Sequence, residues 1–223
     1  MDYLKYPISW GNNISVSEFF LKILRFHIPL KKYPRKILDP TCGNRNLWKH
    51  YNRPTLSKSF GDSKDLNEYN ITFSDIRNLG QKIVSDFREL DFKPETFDGI
   101  IFDPPYFFGI EDSDDPRSED YGGYNQTYEE LERIMIDASK IFPNWLKPSG
   151  KFVLKCSDQY YNPQRKFYFH HIRWAEIFSE LLDPVDFFVY AYHRISPTAY
   201  QVKDRPCSVI ANTYFMIFKM KEK

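Results

Sequence analysis

Apolar positions alternate between two spacings along the chain, one near 3.6 residues and one that runs continuously or by twos, which is how α-helices and β-strands announce themselves. Residues 15–27 open with Ser15-x-x-Glu18, a capping-box pattern, and then place Val16, Phe19, Phe20, Ile23 and Leu24 on one helical stripe. Short strands are predicted over Lys36–Asp39, Ile71–Ser74, Lys82–Ser85 and Phe97–Asp103. A second capping box, Thr127-x-x-Glu130, starts a helix with Leu131, Ile134, Met135, Ala138, Ile141 and Phe142 on one face, which Pro143 is expected to bend or end. Gly150–Cys156 reads as a buried strand and His171–Leu182 as a helix; Val185–Tyr192 and Ser208–Met220 read as two closing strands around a polar loop. Strands alternating with helices predict a parallel sheet covered on both faces, with the last two strands pairing as a hairpin at one edge.

In such a sheet ligands bind beyond the carboxyl ends of the strands, near the point where strand order reverses. Those ends carry Asp39, Asp75, Asp86 and Asp103, each closing an apolar run. Asp39 continues into Pro40-Thr41-Cys42-Gly43, a tight turn in which glycine admits close backbone approach by a ligand. Asp75 can accept two hydrogen bonds from a ribose diol, and Phe87, next to Asp86, can lie against a flat ring. The strongest element is Phe97-Asp-Gly-Ile-Ile-Phe-Asp103-Pro104-Pro105-Tyr106. Two prolines cannot continue a central strand and they fix the backbone beside the carboxylate, so Asp103 and a neighbouring carbonyl become preorganised acceptors with the Tyr106 ring beside them.

Composition narrows the setting. The chain has 223 residues, 42% of them hydrophobic, with 20 Phe, 16 Tyr and 4 Trp, which predicts one packed domain over 1–223 and excludes disorder as its main state. Lys and Arg (31) balance Asp and Glu (30), so nucleic acid would have to be gripped by a local patch and not by bulk charge. Cys42, Cys156 and Cys207 are scattered, with no Cys-x-x-Cys and no His at ligand spacing, so reduced structural thiols and no metal site are expected. No secretory leader and no apolar run long enough for a membrane span is visible; a cytoplasmic location is expected.

The chain resembles the S-adenosylmethionine-dependent amino-methyltransferases, in particular the adenine-N6 and cytosine-N4 DNA methyltransferases. The residues that carry this likeness are Ile37-Leu-Asp-Pro-Thr-Cys-Gly43, Asp103-Pro-Pro-Tyr106 and, at the terminal strand, Asn212-Thr-Tyr-Phe-Met-Ile-Phe-Lys219. The resemblance implies a Rossmann-like methyltransferase fold: a mostly parallel seven-stranded sheet with helices on both faces and an antiparallel last strand. It implies S-adenosyl-L-methionine as cofactor. The loop from Asp39 to Gly43 would hold its methionine end, Asp75 its ribose and Asp86 its adenine amino group. It implies further that Asp103 and the Pro104 carbonyl accept the hydrogens of the target amine and that Tyr106 stacks on a flipped base. Where the family usually has a second small residue after its first motif, this chain has Asn44-Arg45-Asn46; asparagine tolerates the left-handed turn.

An exocyclic amine delocalised into its ring is a poor nucleophile. Two acceptors favour a tetrahedral nitrogen with its lone pair exposed for in-line attack, a chemistry that needs neither a cysteine nucleophile nor a metal. Adenine N6 in DNA is the leading substrate; an RNA base (guanine N2 or adenine N6) is the alternative, and a non-catalytic nucleic-acid-binding subunit is the rival from another class. Residues 160–173 interleave aromatics with Arg165, Lys166 and Arg173 and contain no acid, which suits a phosphate backbone and splayed bases. Residues 111–120, rich in Asp and Glu, read as a lid of opposite charge. No large target-recognition domain fits in the remaining length, so target choice would fall to the loops or to a partner subunit.

Overall fold

The computed structural model describes residues 14–30, 33–51, 69–109, 126–161, 163–192 and 212–222. Helix α1 (Val16–His27) begins at Ser15, whose hydroxyl accepts the Glu18 N–H while the Glu18 carboxylate takes the Ser15 N–H, the reciprocal cap expected from the sequence. Strands β1 (Arg35–Asp39), β2 (Tyr69–Asp75), β3 (Ile83–Val84) and β4 (Phe97–Phe102) follow. Helix α2 (Tyr128–Trp145) leads into β5 (Leu146–Cys156). A small hairpin, β6 (Gln159–Tyr161) and β7 (Lys166–Tyr168), precedes helix α3 (His170–Ser179), and β8 (Leu182–Ala191) and β9 (Asn212–Met220) finish the chain.

The main sheet has seven strands in the order β3-β2-β1-β4-β5-β9-β8. β1 pairs in parallel with both β2 and β4, and β4 in parallel with β5, whereas β9 runs antiparallel between β5 and β8. This is the expected Rossmann-like sheet. The closing strands do pair with each other, but β9 lies inside the sheet and β8 takes the edge. A nine-residue apolar strand such as Asn212–Met220 gains more between two neighbours than it would exposed at a rim.

Alternation along the strands divides the core in two. Ile37, Ile101, Val153, Phe215 and Ile217 point to one face and bury against Phe19, Phe20, Ile23 and Leu24 of α1. Leu38, Ile100, Phe102, Phe152, Leu154, Met216 and Phe218 point to the other and bury against Leu131, Met135 and Phe142 of α2 and Trp174 and Phe178 of α3. Each of these side chains contributes roughly 1.5–3 kcal/mol by leaving water. That burial also explains why Pro143 does not itself end the helix. The helix continues past it to Trp145, because Phe142 and Trp145 on either side are both core residues and anchor the last turn.

Strand order reverses between β1 and β4, so their carboxyl ends diverge into a crevice. At the opposite end of the sheet Asp98 accepts the Lys36 N–H and pairs with Arg35 and Lys147, closing the bottom with structural charge. Among the described residues no helix is long and apolar enough to cross a membrane.

Candidate active site

A cavity of about 510 Å³ opens at the carboxyl ends of β1, β2, β4 and β5. Its wall includes Asp39, Pro40, Thr41, Cys42 and Gly43, then Asp75, Asp86 and Phe87, then Asp103, Pro105 and Tyr106. Of the residues expected at a cofactor or catalytic position, Pro104 alone is absent from that wall; it is buried between Asp103 and Pro105.

Asp39 ends β1 inside the protein. Its Oδ2 accepts Trp48 Nε1–H at 2.7 Å and its Oδ1 accepts the Thr41 N–H at 3.3 Å. Burial pushes its carboxyl up to about 7; the Trp48 bond opposes the rise and the nearby Asp103 and Asp75 charges add to it. The following loop is pinned to β2, with Cys42 N–H on the Ser74 carbonyl at 3.0 Å and Gly43 N–H on Asp75 Oδ2 at 2.8 Å. Gly43 has a φ of 48°, a left-handed turn that glycine takes without strain. The second left-handed residue is Arg45 (φ 56°) and not an asparagine, and its guanidinium lies 4.9 Å from the centre of the Phe73 ring. Cys42 is a buried thiol pushed up to about 12 by burial and by Asp39 and Asp75, so it stays protonated and un-nucleophilic.

The two acids of the β2–β3 side are tightly held. Asp75 Oδ1 accepts from Arg77 N–H and Nε–H at 3.0 and 3.3 Å. Asp86 caps the short turn Phe87–Glu89 and takes three hydrogen bonds from Arg88, which hold its carboxyl below the usual range. Phe87 packs against Phe102 and Phe142 with ring centres 5.6 and 5.2 Å apart, so most of its ring belongs to the core and only part of it faces the cavity.

Asp103 is the junction of the site. Its N–H donates to Thr41 Oγ1 at 3.0 Å, and its two carboxylate oxygens accept from Lys155 Nζ at 2.7 and 2.8 Å. Burial disfavours the Lys155 charge, but the Asp103 carboxylate more than offsets this and holds the ammonium above its ordinary pKa. Nζ also lies 5.2 Å from the centre of the Tyr106 ring. Lys155 escapes a motif-based reading. Its signal is a single charge within the apolar run Phe152-Val-Leu-Lys-Cys156, since a lysine is buried on a central strand only when something pairs it.

The hairpin β6–β7 likewise carries no periodic signal in the sequence, its strands being three residues each. It is bound to the Asp103–Gly109 segment: Gln159 Oε1 accepts the Phe108 N–H at 3.1 Å and its Nε2 donates to the Phe108 carbonyl at 2.9 Å. Of the three residues proposed for nucleic acid, Arg165 sits exposed in the hairpin turn with φ 50°. Lys166 opens β7 with Nζ 4.6 Å from the Tyr168 ring centre. Arg173 lies on α3, paired with Glu132 at 2.7 Å and Glu176 at 3.3 Å, so two acids already match its charge. None of the three lines the cavity. The acidic segment 111–120 and Cys207 lie outside the described residues. Among the described residues no group of three or more His, Cys, Asp or Glu is arranged to hold a metal ion.

No family model matches the chain. No curated protein matches it. Solved structures do. A putative class I S-adenosylmethionine-dependent methyltransferase from Listeria monocytogenes is 14% identical with a TM-score of 0.51, over 93% of this chain and 60% of that one. A Thermoplasma acidophilum protein is also 14% identical with a TM-score of 0.51, over 94% and 90% of the two chains. The PvuII cytosine-N4-specific DNA methyltransferase is 19% identical over 63% of this chain and 49% of that one, with a TM-score of 0.47 that lends no weight to any substrate. Together with the strand order, these likenesses establish the fold as the Rossmann-like methyltransferase fold.

Proposed function

We propose that the protein transfers a methyl group from S-adenosyl-L-methionine to an exocyclic amino nitrogen, with adenine N6 in DNA as the leading substrate. The observation that carries this reading is the convergence of Asp39, Asp75, Asp86, Asp103 and Tyr106, from four separate strand ends, on one cavity. The residues present fit the donor. Asp39 is buried, and among the described residues its hydrogen-bond partners are the neutral Trp48 Nε1–H and Thr41 N–H, so a cationic ligand would relieve an unbalanced carboxylate. Asp75 retains acceptor capacity on Oδ2 for a hydroxyl beyond the Gly43 N–H.

Bound in this cavity, the donor supplies an electrophilic methyl on a sulfonium. Asp103, held by Thr41 and Lys155, accepts one hydrogen of the target amine and thereby fixes the lone pair of the nitrogen toward the cavity. The family resemblance assigns the second hydrogen to the Pro104 carbonyl, although Pro104 does not itself line the cavity. Tyr106 offers its ring to the base, which offsets part of the few kcal/mol, on the order of one stacking interaction, needed to bring a base out of a helix. Asp103, as the acceptor of an amine hydrogen, would also take the proton that the amine sheds as it becomes methylated. The fixed geometry supplies the acceleration. Target recognition is assigned to the β6–β7 hairpin with Arg165 and Lys166, which is joined through Gln159 to the Asp103 turn, and to loops within this single domain or a partner subunit.

The test is methyl transfer from labelled donor to unmethylated DNA and unmodified RNA in parallel, followed by digestion to nucleosides. Label in N6-methyldeoxyadenosine is expected. Label confined to RNA would move the substrate to RNA, donor binding without label in either would point to a missing partner or a different substrate, and loss of donor binding itself would make the protein a non-catalytic subunit.

A further inference from the structure

Lys155 stands one residue before the end of β5, and its side chain is 9% exposed. An ammonium has three N–H donors. Two are taken by Asp103 Oδ1 and Oδ2 at 2.7 and 2.8 Å. Among the described residues no acceptor takes the third, while Lys155 itself forms part of the cavity wall. A largely buried donor left unmatched gains strongly from a ligand that brings an acceptor. The pair therefore presents two adjoining and opposite functions to whatever enters. The lone pairs of Asp103 accept, and the third N–H of Lys155 donates. The Tyr106 ring, 5.2 Å from Nζ, lies beside both.

We propose that Lys155 orients the base, by donating its third N–H to the ring nitrogen that adjoins the target amine while Asp103 accepts a hydrogen of that amine. This rests on the reading of the cavity as an amino-methyltransferase site. Adenine N1 beside N6, and cytosine N3 beside N4, are lone-pair acceptors. Guanine N2 is flanked by N1, which carries a hydrogen, and by N3, an acceptor on its sugar edge, so guanine could meet Lys155 only through N3. The Asp103–Lys155 edge thus fits a base whose amine adjoins an unprotonated ring nitrogen, as N6 adjoins N1 in adenine, and disfavours one that has a C–H there. Sites that hydrogen-bond their substrate discriminate far more sharply against a missing or inverted partner than apolar pockets do.

The direct probe is 1-deazaadenine, which keeps the amine and replaces N1 by a C–H. Two single-stranded oligodeoxynucleotide pools, identical except that one carries 1-deazaadenine at every adenine, are offered to the wild-type protein with labelled donor. The wild type is expected to label the adenine pool with a kcat/KM at least about tenfold higher, the size of a lost charge-assisted hydrogen bond. Lys155→Met should be slower on adenine and treat the two pools alike, whereas Lys155→Arg, which keeps a donor, should retain part of the preference. If Lys155→Met does not fold, the wild-type comparison decides alone. Equal rates on the two pools by the wild type would overturn the role of Lys155 while leaving amine methylation intact. Donor binding with no methyl transfer to any base would instead remove the underlying reading, and this inference with it.

Discussion

Thr41 Oγ1 accepts the backbone N–H of Asp103 at 3.0 Å, which joins the turn after β1 to the turn after β4 across the reversal of strand order. The two loops that would hold donor and target amine are thus one hydrogen-bonded unit. Thr41→Val keeps the shape and removes the acceptor, leaving the Asp103 amide unpaired at a cost of about 1–3 kcal/mol. Thermal melting should fall by a few degrees, and methyl-transfer rate should drop more than donor affinity, because Asp103 is the group released.

Asp103 and Lys155 are mutually dependent. Asp103→Ala should abolish methyl transfer with donor affinity nearly unchanged, and should cost about 3 kcal/mol of stability, since removing one partner of a buried pair strands the other charge. Asp103→Asn keeps an oxygen for Lys155, so it should be nearly as inactive but more stable than the alanine variant. Calorimetric donor binding beside chemical denaturation checks both halves.

Asp39 makes stability depend on pH in a defined direction. Its folded carboxyl is pushed up to about 7 from an ordinary value of 3.8. Between those values the native state binds a proton that the unfolded state has released, so the Asp39 contribution falls as pH rises through that window and is flat above it. Wild type should lose stability relative to Asp39→Asn between pH 5 and 7, by about 1 kcal/mol for each pH unit crossed. His170 acts oppositely. Burial lowers it to about 4 from 6.5, so its contribution is present above the unfolded value and is lost as pH falls through that interval. Urea titrations of wild type and Asp39→Asn at several pH values separate the two, since His170 is common to both.

Gly109 connects the Asp103 turn to the hairpin. Its φ is 67°, its N–H donates to the Gln126 carbonyl at 2.9 Å, and an added Cβ would fall 2.4 Å from the Tyr161 ring. Gly109→Ala combines about 1–2 kcal/mol of left-handed strain with displacement of Tyr161. A lower melting temperature and a reduced rate at unchanged donor affinity are expected, read by calorimetry and steady-state kinetics.

Much of this architecture was legible in the residues. The capping boxes at Ser15 and Thr127 appear at their expected positions, and Asp39 and Asp75 end their strands because turn-forming acids close apolar runs. The placement of β9 inside the sheet was not legible, since pairing order is set by three-dimensional burial and not by the spacing of apolar residues. Lys155 was hidden for a related reason. Its partner is 52 residues away and no local pattern links them. The hairpin β6–β7 was concealed because three-residue strands carry too little periodicity, and its anchor is the side chain of Gln159. Arg173 read as a free basic residue because Glu132, which neutralises it, comes from another helix.

The most direct measurement of the central claim is mass spectrometry of nucleosides from unmethylated DNA incubated with a donor bearing a deuterated methyl group, using wild type and Asp103→Ala side by side. The account predicts deuterated methyl on N6 of deoxyadenosine with wild type and none with the variant, although both bind donor. Unmodified DNA from a wild type that binds the donor, or equal modification by the variant, would contradict it.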